Sequence, residues 1–288
     1  MQDTQELIDK LNLRGAPLSK GHRSIAQYIA EHYDKAVFMT AGSLGSQCGV
    51  SESTVVRFAA AMGYAGYPEL REALRSLVRQ RLTSEQRFAI ASEIDGRDLL
   101  STVLKNDMQN IRKTVEALTQ QDFDQAVARL LAARRIYVMG LRSAAPLAQF
   151  MYHYLHQIFD GVVLVQNITG DVFEEIARIG CEDVLVGISY PRYSTRTLEC
   201  MRFARLNGAQ VIGLTDGEMS PLRQASDVCL CACTDMASFV DSLAAPLSLI
   251  NALIVSLGLH RREELGEHFK RLEDIWNAHS VYISKENE

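Results

Sequence analysis

The chain has 288 residues, 47% of them hydrophobic and 23% charged, with a formal net charge of −5. That is apolar material for two cores of ordinary size, and it excludes a disordered or low-complexity chain. No apolar run reaches the roughly 18 to 20 residues of a membrane helix, and the opening MQDTQELIDK is acidic and polar rather than signal-like, so a cytoplasmic protein with no membrane partner is expected.

The charge is unevenly shared. Residues 1–80 hold nine Lys or Arg against eight Asp or Glu, whereas the rest hold 21 against 27. The acidity belongs to the larger part, and the first eighty residues are free to approach a polyanion. These residues read as an all-helical domain. HRSIAQYIAEHY carries Ile25, Ile29 and Tyr33 at four-residue steps, the stripe of one amphipathic helix. Two further helical patterns flank the turn Cys48-Gly49-Val50-Ser51, and a third starts after Pro68 with Leu70, Leu74 and Leu77 on one face.

Two helices joined by a tight turn can seat the second in a DNA major groove. With Gly49 at the turn, small Gly45 falls where the helices cross, and Leu44, Val50, Val55 and Phe58 fall inward. Ser51, Glu52, Ser53, Val56, Arg57 and Ala60 then face outward. Arg57 suits a guanine or a phosphate; Ser51, Ser53 and Thr54 suit phosphates or the helix cap. The DNA-binding candidates are Ser51, Glu52, Ser53, Thr54, Val56 and Arg57.

Residues 81–98 have weak periodicity and Gly96, and are expected as a linker. Beyond it Leu100, Leu104, Met108, Ile111, Val115 and Leu118 recur at steps of three and four, a long amphipathic helix to pack on the second domain or across a dimer. From residue 134 the rhythm changes. RIYVMG, GVVLVQ, DVLVGIS, AQVIGLTD and DVCLCAC are five strand candidates separated by helical or loop segments, so residues 99–288 predict a five-stranded parallel sheet with helices on both faces, an αβα layering. Helical stretches close the domain, the last over 262–279.

Cys229, Cys231 and Cys233 alternate along the last strand, which places small buried thiols on one face rather than the converging turns of a zinc site. His153 and His156 have no ligand partner at useful spacing. No metal and no cofactor are expected.

Open parallel sheets take ligands at the carboxyl ends of their strands. The first strand runs into Gly140-Leu141-Arg142-Ser143, where Ser143 can cap the next helix, and the third into Ser189-Tyr190-Pro191-Arg192-Tyr193-Ser194-Thr195. Two hydroxyl-bearing loops at helix starts suit one small anion. Gly187-Ile188-Ser189 begins like a nucleophile elbow, but Pro191 replaces the second glycine that turn needs, so no catalytic residue is assigned.

Together the halves resemble the RpiR family of bacterial transcription regulators, a helix-turn-helix domain followed by a sugar isomerase (SIS) domain. CGVSESTVVRFAAAMGYAGYPELREAL carries the first half of the likeness; RIYVMGLRSAAPLA and DVLVGISYPRYSTRTLE carry the second. The resemblance implies operator binding by a homodimer or homotetramer, repression as the commoner outcome, and an effector in the SIS domain, commonly a phosphorylated sugar. Against the family's S-x-S-G-x-T loop, Ser189 matches the first serine and Ser194 the last hydroxyl. Pro191 and Arg192 stand where a serine and a glycine would be, and Arg192 is expected to restore the attraction by a bidentate contact to phosphate or carboxylate. The expected effector site is Ser143, Ser189, Arg192, Tyr193 and Ser194. Two other readings stay open: an SIS-type sugar-phosphate isomerase, with Asp171, Glu174, Glu175 and Asp241 as base candidates, and a non-catalytic dimerisation module.

Overall fold

A computed structural model describes residues 19–282 except 38, 72, 75–82, 92–97, 167–169 and 237–239. The chain divides into two compact units, residues 1–99 with 238–240 and residues 100–237 with 241–288.

In the first unit, helix α1 (Lys20–Glu31) opens where the Ser19 hydroxyl accepts from the His22 amide at 3.2 Å, and it buries Ile25, Ala26 and Ile29. The sequence predicts one stripe through Tyr33. The helix instead stops at Glu31: His32 leaves the helical region at φ −134°, and a four-residue helix α2 (Tyr33–Ala36) restarts beyond it. Helix α3 (Ala41–Cys48) starts in a capping box, the Ser43 amide donating to Thr40 Oγ1 at 3.1 Å and the Thr40 amide to Ser43 Oγ at 2.8 Å. It ends at Gly49, whose φ of 68° lies in the left-handed region. There the Val50 amide turns back onto the Gly45 carbonyl at 2.8 Å and the Gly49 amide onto that of Ser46 at 3.3 Å. Helix α4 (Glu52–Ala61) crosses so close that a Cβ on Gly45 would lie 2.8 Å from the Val50 carbonyl oxygen. Leu44, Val55 and Phe58 are fully buried, while Val50 is only half-buried.

Residues 67–71, 73 and 74 are helical, with Leu70 and Leu74 inside; Leu77 lies outside the described residues. Helix α5 (Ser84–Ala91) lies within the stretch expected as a linker.

Helix α6 (Leu99–Ala117) leads into the second unit and α7 (Gln120–Ala132) follows. The strands are β1 (Arg135–Gly140), β2 (Val162–Val165), β3 (Asp183–Ile188), β4 (Gln210–Thr215) and β5 (Val228–Cys231), all parallel in the order β2-β1-β3-β4-β5. Between and after them run α8 (Ala145–Ile158), α9 (Val172–Glu175), α10 (Thr195–Leu206), α11 (Pro221–Ala225), α12 (Ala244–His260) and α13 (Arg262–Ala278). Helices α7, α8 and α12 cover one face of the sheet, and α9, α10 and α11 the other, so β3 is buried along its whole length. That double burial is why its apolar run is continuous rather than alternating.

At the amino end of β3, fully buried Asp183 is held by Arg134 Nε at 3.0 Å, Arg134 Nη2 at 2.8 Å and the Gly180 amide at 2.9 Å. Burial raises its pKa, but these hydrogen bonds and the charges of Arg134 and Arg135 outweigh burial and leave the carboxyl below the usual aspartate value.

Helix α6 meets the second unit through polar residues rather than through its apolar stripe. Its buried residues are polar: Asn110 Nδ2 donates to the Asp235 carbonyl at 2.8 Å, the Asp235 amide to Asn110 Oδ1 at 3.2 Å and the Cys233 amide to Thr114 Oγ1 at 2.8 Å. The apolar stripe of Leu100, Leu104, Met108 and Val115 is exposed. Cys233 therefore lies past the end of β5, its Sγ donating to Asn110 Oδ1 at 3.2 Å, while Cys229 and Cys231 stay in the strand. Among the described residues no group of three or more His, Cys, Asp or Glu is placed to hold a metal, and no single helix is long and apolar enough to cross a membrane.

Candidate functional site

In the first unit the outward face of α4 is one connected polar cluster. Ser51 occupies the N-cap position, yet its hydroxyl makes no capping bond. It lies 2.9 Å from both Ser53 Oγ and Thr54 Oγ1. Arg57 runs back along the same face, Nε donating to the Ser53 carbonyl at 3.3 Å and Nη2 to Thr54 Oγ1 at 3.5 Å. The first-turn amides of α4 thus keep the partial positive charge of an uncapped helix start, which suits a phosphate. Val56 is 43% exposed beside Arg57. Glu52 turns the other way: its carboxylate lies against Gly42 in the first turn of α3. There it complements that helix start while remaining exposed.

In the second unit the candidate loops leave the sheet at one level. Gly140 of β1 pairs with Ile188 of β3, and Ile188 with Leu214 of β4. Strand β1 lies between β2 and β3, so the loops after β1 and β3 flank the point where the winding direction reverses.

Gly140 must be a glycine here, since a Cβ would sit 2.7 Å from the Ala144 carbonyl oxygen. Ser143 is exposed in the 3-10 turn Arg142–Ala144, and the N-cap of α8 is Ala144, not Ser143 as the spacing suggested. The serine stands one residue early, inside the 3-10 turn that Arg142 opens with φ 57°.

Ser189 is buried, its amide donating to the Leu214 carbonyl at 3.1 Å and its Oγ accepting from the Ser194 amide at 2.9 Å. Ser194 is the N-cap of α10 and accepts from the Thr197 amide at 3.2 Å. Each hydroxyl oxygen is used as an acceptor within the loop, so the O–H of each remains a donor. Arg192 is exposed, with φ 37°. Tyr193 braces the neighbouring loop: its OH donates to Asp216 Oδ1 at 2.8 Å.

That neighbouring loop is what sequence reasoning missed. Thr215 Oγ1 donates to Asp216 Oδ1 at 3.2 Å and lies 2.6 Å from Ser220 Oγ, and Ser220 caps α11. The Ser220-Pro221 pair, a cap followed by proline at the first helical position, was its readable sign. Two of the four base candidates are engaged: Asp171 caps α9 through the Phe173 amide at 3.1 Å and pairs with Arg196, and Glu175 accepts from the Gln166 amide at 3.0 Å.

Comparison with known proteins follows the same division. A helix-turn-helix domain model of the rpiR family matches residues 5–81, and a SIS domain model matches residues 129–256. The HTH-type transcriptional regulator HexR of Pseudomonas aeruginosa is 29% identical over 282 residues, covering 94% of this chain and 95% of that protein. HexR of Escherichia coli is 24% identical over 276 residues, 93% of each. Among solved structures, the Vibrio vulnificus NanR protein complexed with ManNAc-6P is similar with a TM-score of 0.58 at 20% identity, covering 94% of this chain and 98% of that one. The sugar isomerase domain of an RpiR transcription factor from Sphaerobacter thermophilus is similar with a TM-score of 0.59 at 21% identity, covering 62% of this chain and 99% of that one.

Proposed function

Because the chain belongs to the rpiR family, a transcriptional regulator with its helix-turn-helix domain ahead of a SIS domain, we propose that it is a repressor whose DNA affinity is set by a small anionic metabolite. It binds operator DNA as a homodimer or homotetramer through the outward face of α4. The effector is a sugar phosphate, with a carboxylate-bearing metabolite as the next candidate, and no catalytic step is assigned.

The observation that carries this reading is the Ser189 and Ser194 pair. Both hydroxyls have their oxygens committed within the loop and their protons left to donate, at the head of α10 and at the switch point of the sheet. A phosphate there would meet donors from two side chains and a helix start. The exposed apolar stripe of α6 supports self-association, because Leu100 is 76% and Val115 73% exposed.

The test is fluorescence anisotropy of the full chain on duplex DNA from upstream of its own gene, with salt and candidate effectors varied. Affinity that falls steeply with salt, and that shifts with one sugar phosphate or carboxylate, supports the reading, since phosphate contacts release counterions and an effector must bind the two forms unequally. Salt-insensitive binding would remove the DNA arm. Interconversion of aldose and ketose phosphates would reinstate the isomerase.

A further inference from the structure

Among the described residues of the second unit, two buried side-chain polar atoms have no hydrogen-bond partner, Tyr190 Oη and Thr197 Oγ1. Both belong to the same short stretch. Tyr190 follows Ser189 directly, and Thr197 stands in the first turn of α10, its own amide bonded to Ser194 Oγ. Tyr190 is 5% exposed and sits in the apolar cluster that holds Ala144, Ile188 and Leu214. An unpaired hydroxyl in such surroundings costs free energy that phenylalanine would not. Between the two, Arg192 adds backbone strain, a non-glycine residue at φ 37°. Burial and the nearby Asp216 charge push the Tyr190 phenol well above its usual pKa, so the group stays a proton donor.

The serines on their own would hold any phosphate; something else must tell one phosphate from another. Resting on the sensor reading above, we propose that the Tyr190 hydroxyl reads the effector, donating to an uncharged oxygen of its carbon skeleton when the 189–194 loop re-seats around the anion. The Thr197 hydroxyl gains its partner in the same movement. The ligand class is therefore a phosphorylated polyol or sugar, rather than inorganic phosphate or a bare carboxylate. A buried polar group built to pair with a substrate oxygen rejects analogues that lack it.

The experiment compares the full chain with Tyr190→Phe and Thr197→Val by melting temperature without ligand and by calorimetric titration with inorganic phosphate and a set of hexose 6-phosphates. Tyr190→Phe is expected to melt at or above the parent temperature. Its affinity for the hexose 6-phosphate that the parent binds is expected to fall roughly tenfold, with inorganic phosphate binding unchanged. Should Tyr190→Phe fail to fold, Thr197→Val carries the same comparison. A lowered melting temperature for Tyr190→Phe would mean that its hydroxyl is paired in the fold, and unchanged hexose phosphate affinity would mean that it reads nothing; either overturns the inference while leaving parent binding intact. A parent chain that binds neither phosphate nor hexose phosphate would bring down the sensor reading and this inference with it.

Discussion

The Ser194 amide donates to the Ser189 hydroxyl oxygen at 2.9 Å, so the exit of β3 and the cap of α10 are joined across residues 190–193. Removing the acceptor strands a backbone donor; removing the cap strands another. Ser189→Ala should lower stability by about 1 to 3 kcal/mol and Ser194→Ala by about 1 kcal/mol. Both should weaken anion binding, read as a smaller ligand-induced rise in melting temperature.

Gly45→Ala should separate the two helices of the DNA-reading unit. The new Cβ would meet the Val50 carbonyl oxygen at 2.8 Å, and backbone on both sides resists the shift. The strain, about 1 to 3 kcal/mol, exceeds the roughly 1 kcal/mol that alanine gains over glycine inside a helix. DNA affinity should drop while ligand binding by the second unit is retained, measured by anisotropy and calorimetry on the same preparation.

Arg57→Ala should cost about 1 to 3 kcal/mol of affinity for operator DNA and relax its sequence preference, because Arg57 lies in mid-helix beside Val56 on the outward face. Binding to a scrambled duplex should change little. Equal loss on both duplexes, with a salt slope shallower by about one, would reassign the residue to a phosphate.

Asp183→Asn should lower stability by about 1 to 3 kcal/mol, since it weakens the charge-assisted hydrogen bonds that a buried carboxylate accepts from half-exposed Arg134 and the Gly180 amide. The pH dependence follows from the sign of the shift. The folded carboxyl titrates below its unfolded value, so its contribution is complete above about pH 4 and is lost as pH falls through the folded pKa. Denaturant melts between pH 6 and pH 2 should show the parent losing stability more steeply on the acid side than Asp183→Asn.

The identity of the five strands was legible because each is a short apolar run between turn signals, and burial on both faces makes such runs continuous. Gly45 and Gly49 were legible for a similar reason, since close crossing and a left-handed residue each demand glycine. The break at His32 was not, because the apolar spacing continues to Tyr33 and nothing local marks where the backbone leaves the helix. Nor was the tie between Tyr193 and Asp216, which depends on β4 lying beside β3 and so on the order of strands in space. Ser143 was placed one residue from the cap it was expected to supply, inside the 3-10 turn that Arg142 opens. The stripe on α6 was visible, but which of its two expected uses applies was not: in the single chain most of it is exposed. Periodicity identifies an apolar face, whereas the buried side of this helix is fixed by Asn110 and Thr114.

The Arg134 and Asp183 pair locks the amino end of β3, at the opposite edge of the sheet from the serines. Anyone wishing to retune such a protein as a biosensor would therefore begin with the exposed Arg192, since Tyr190 is packed in the core and Tyr193 braces the next loop. Such an exchange would aim at the signal, while the anchor on the far side of the sheet is left as it is.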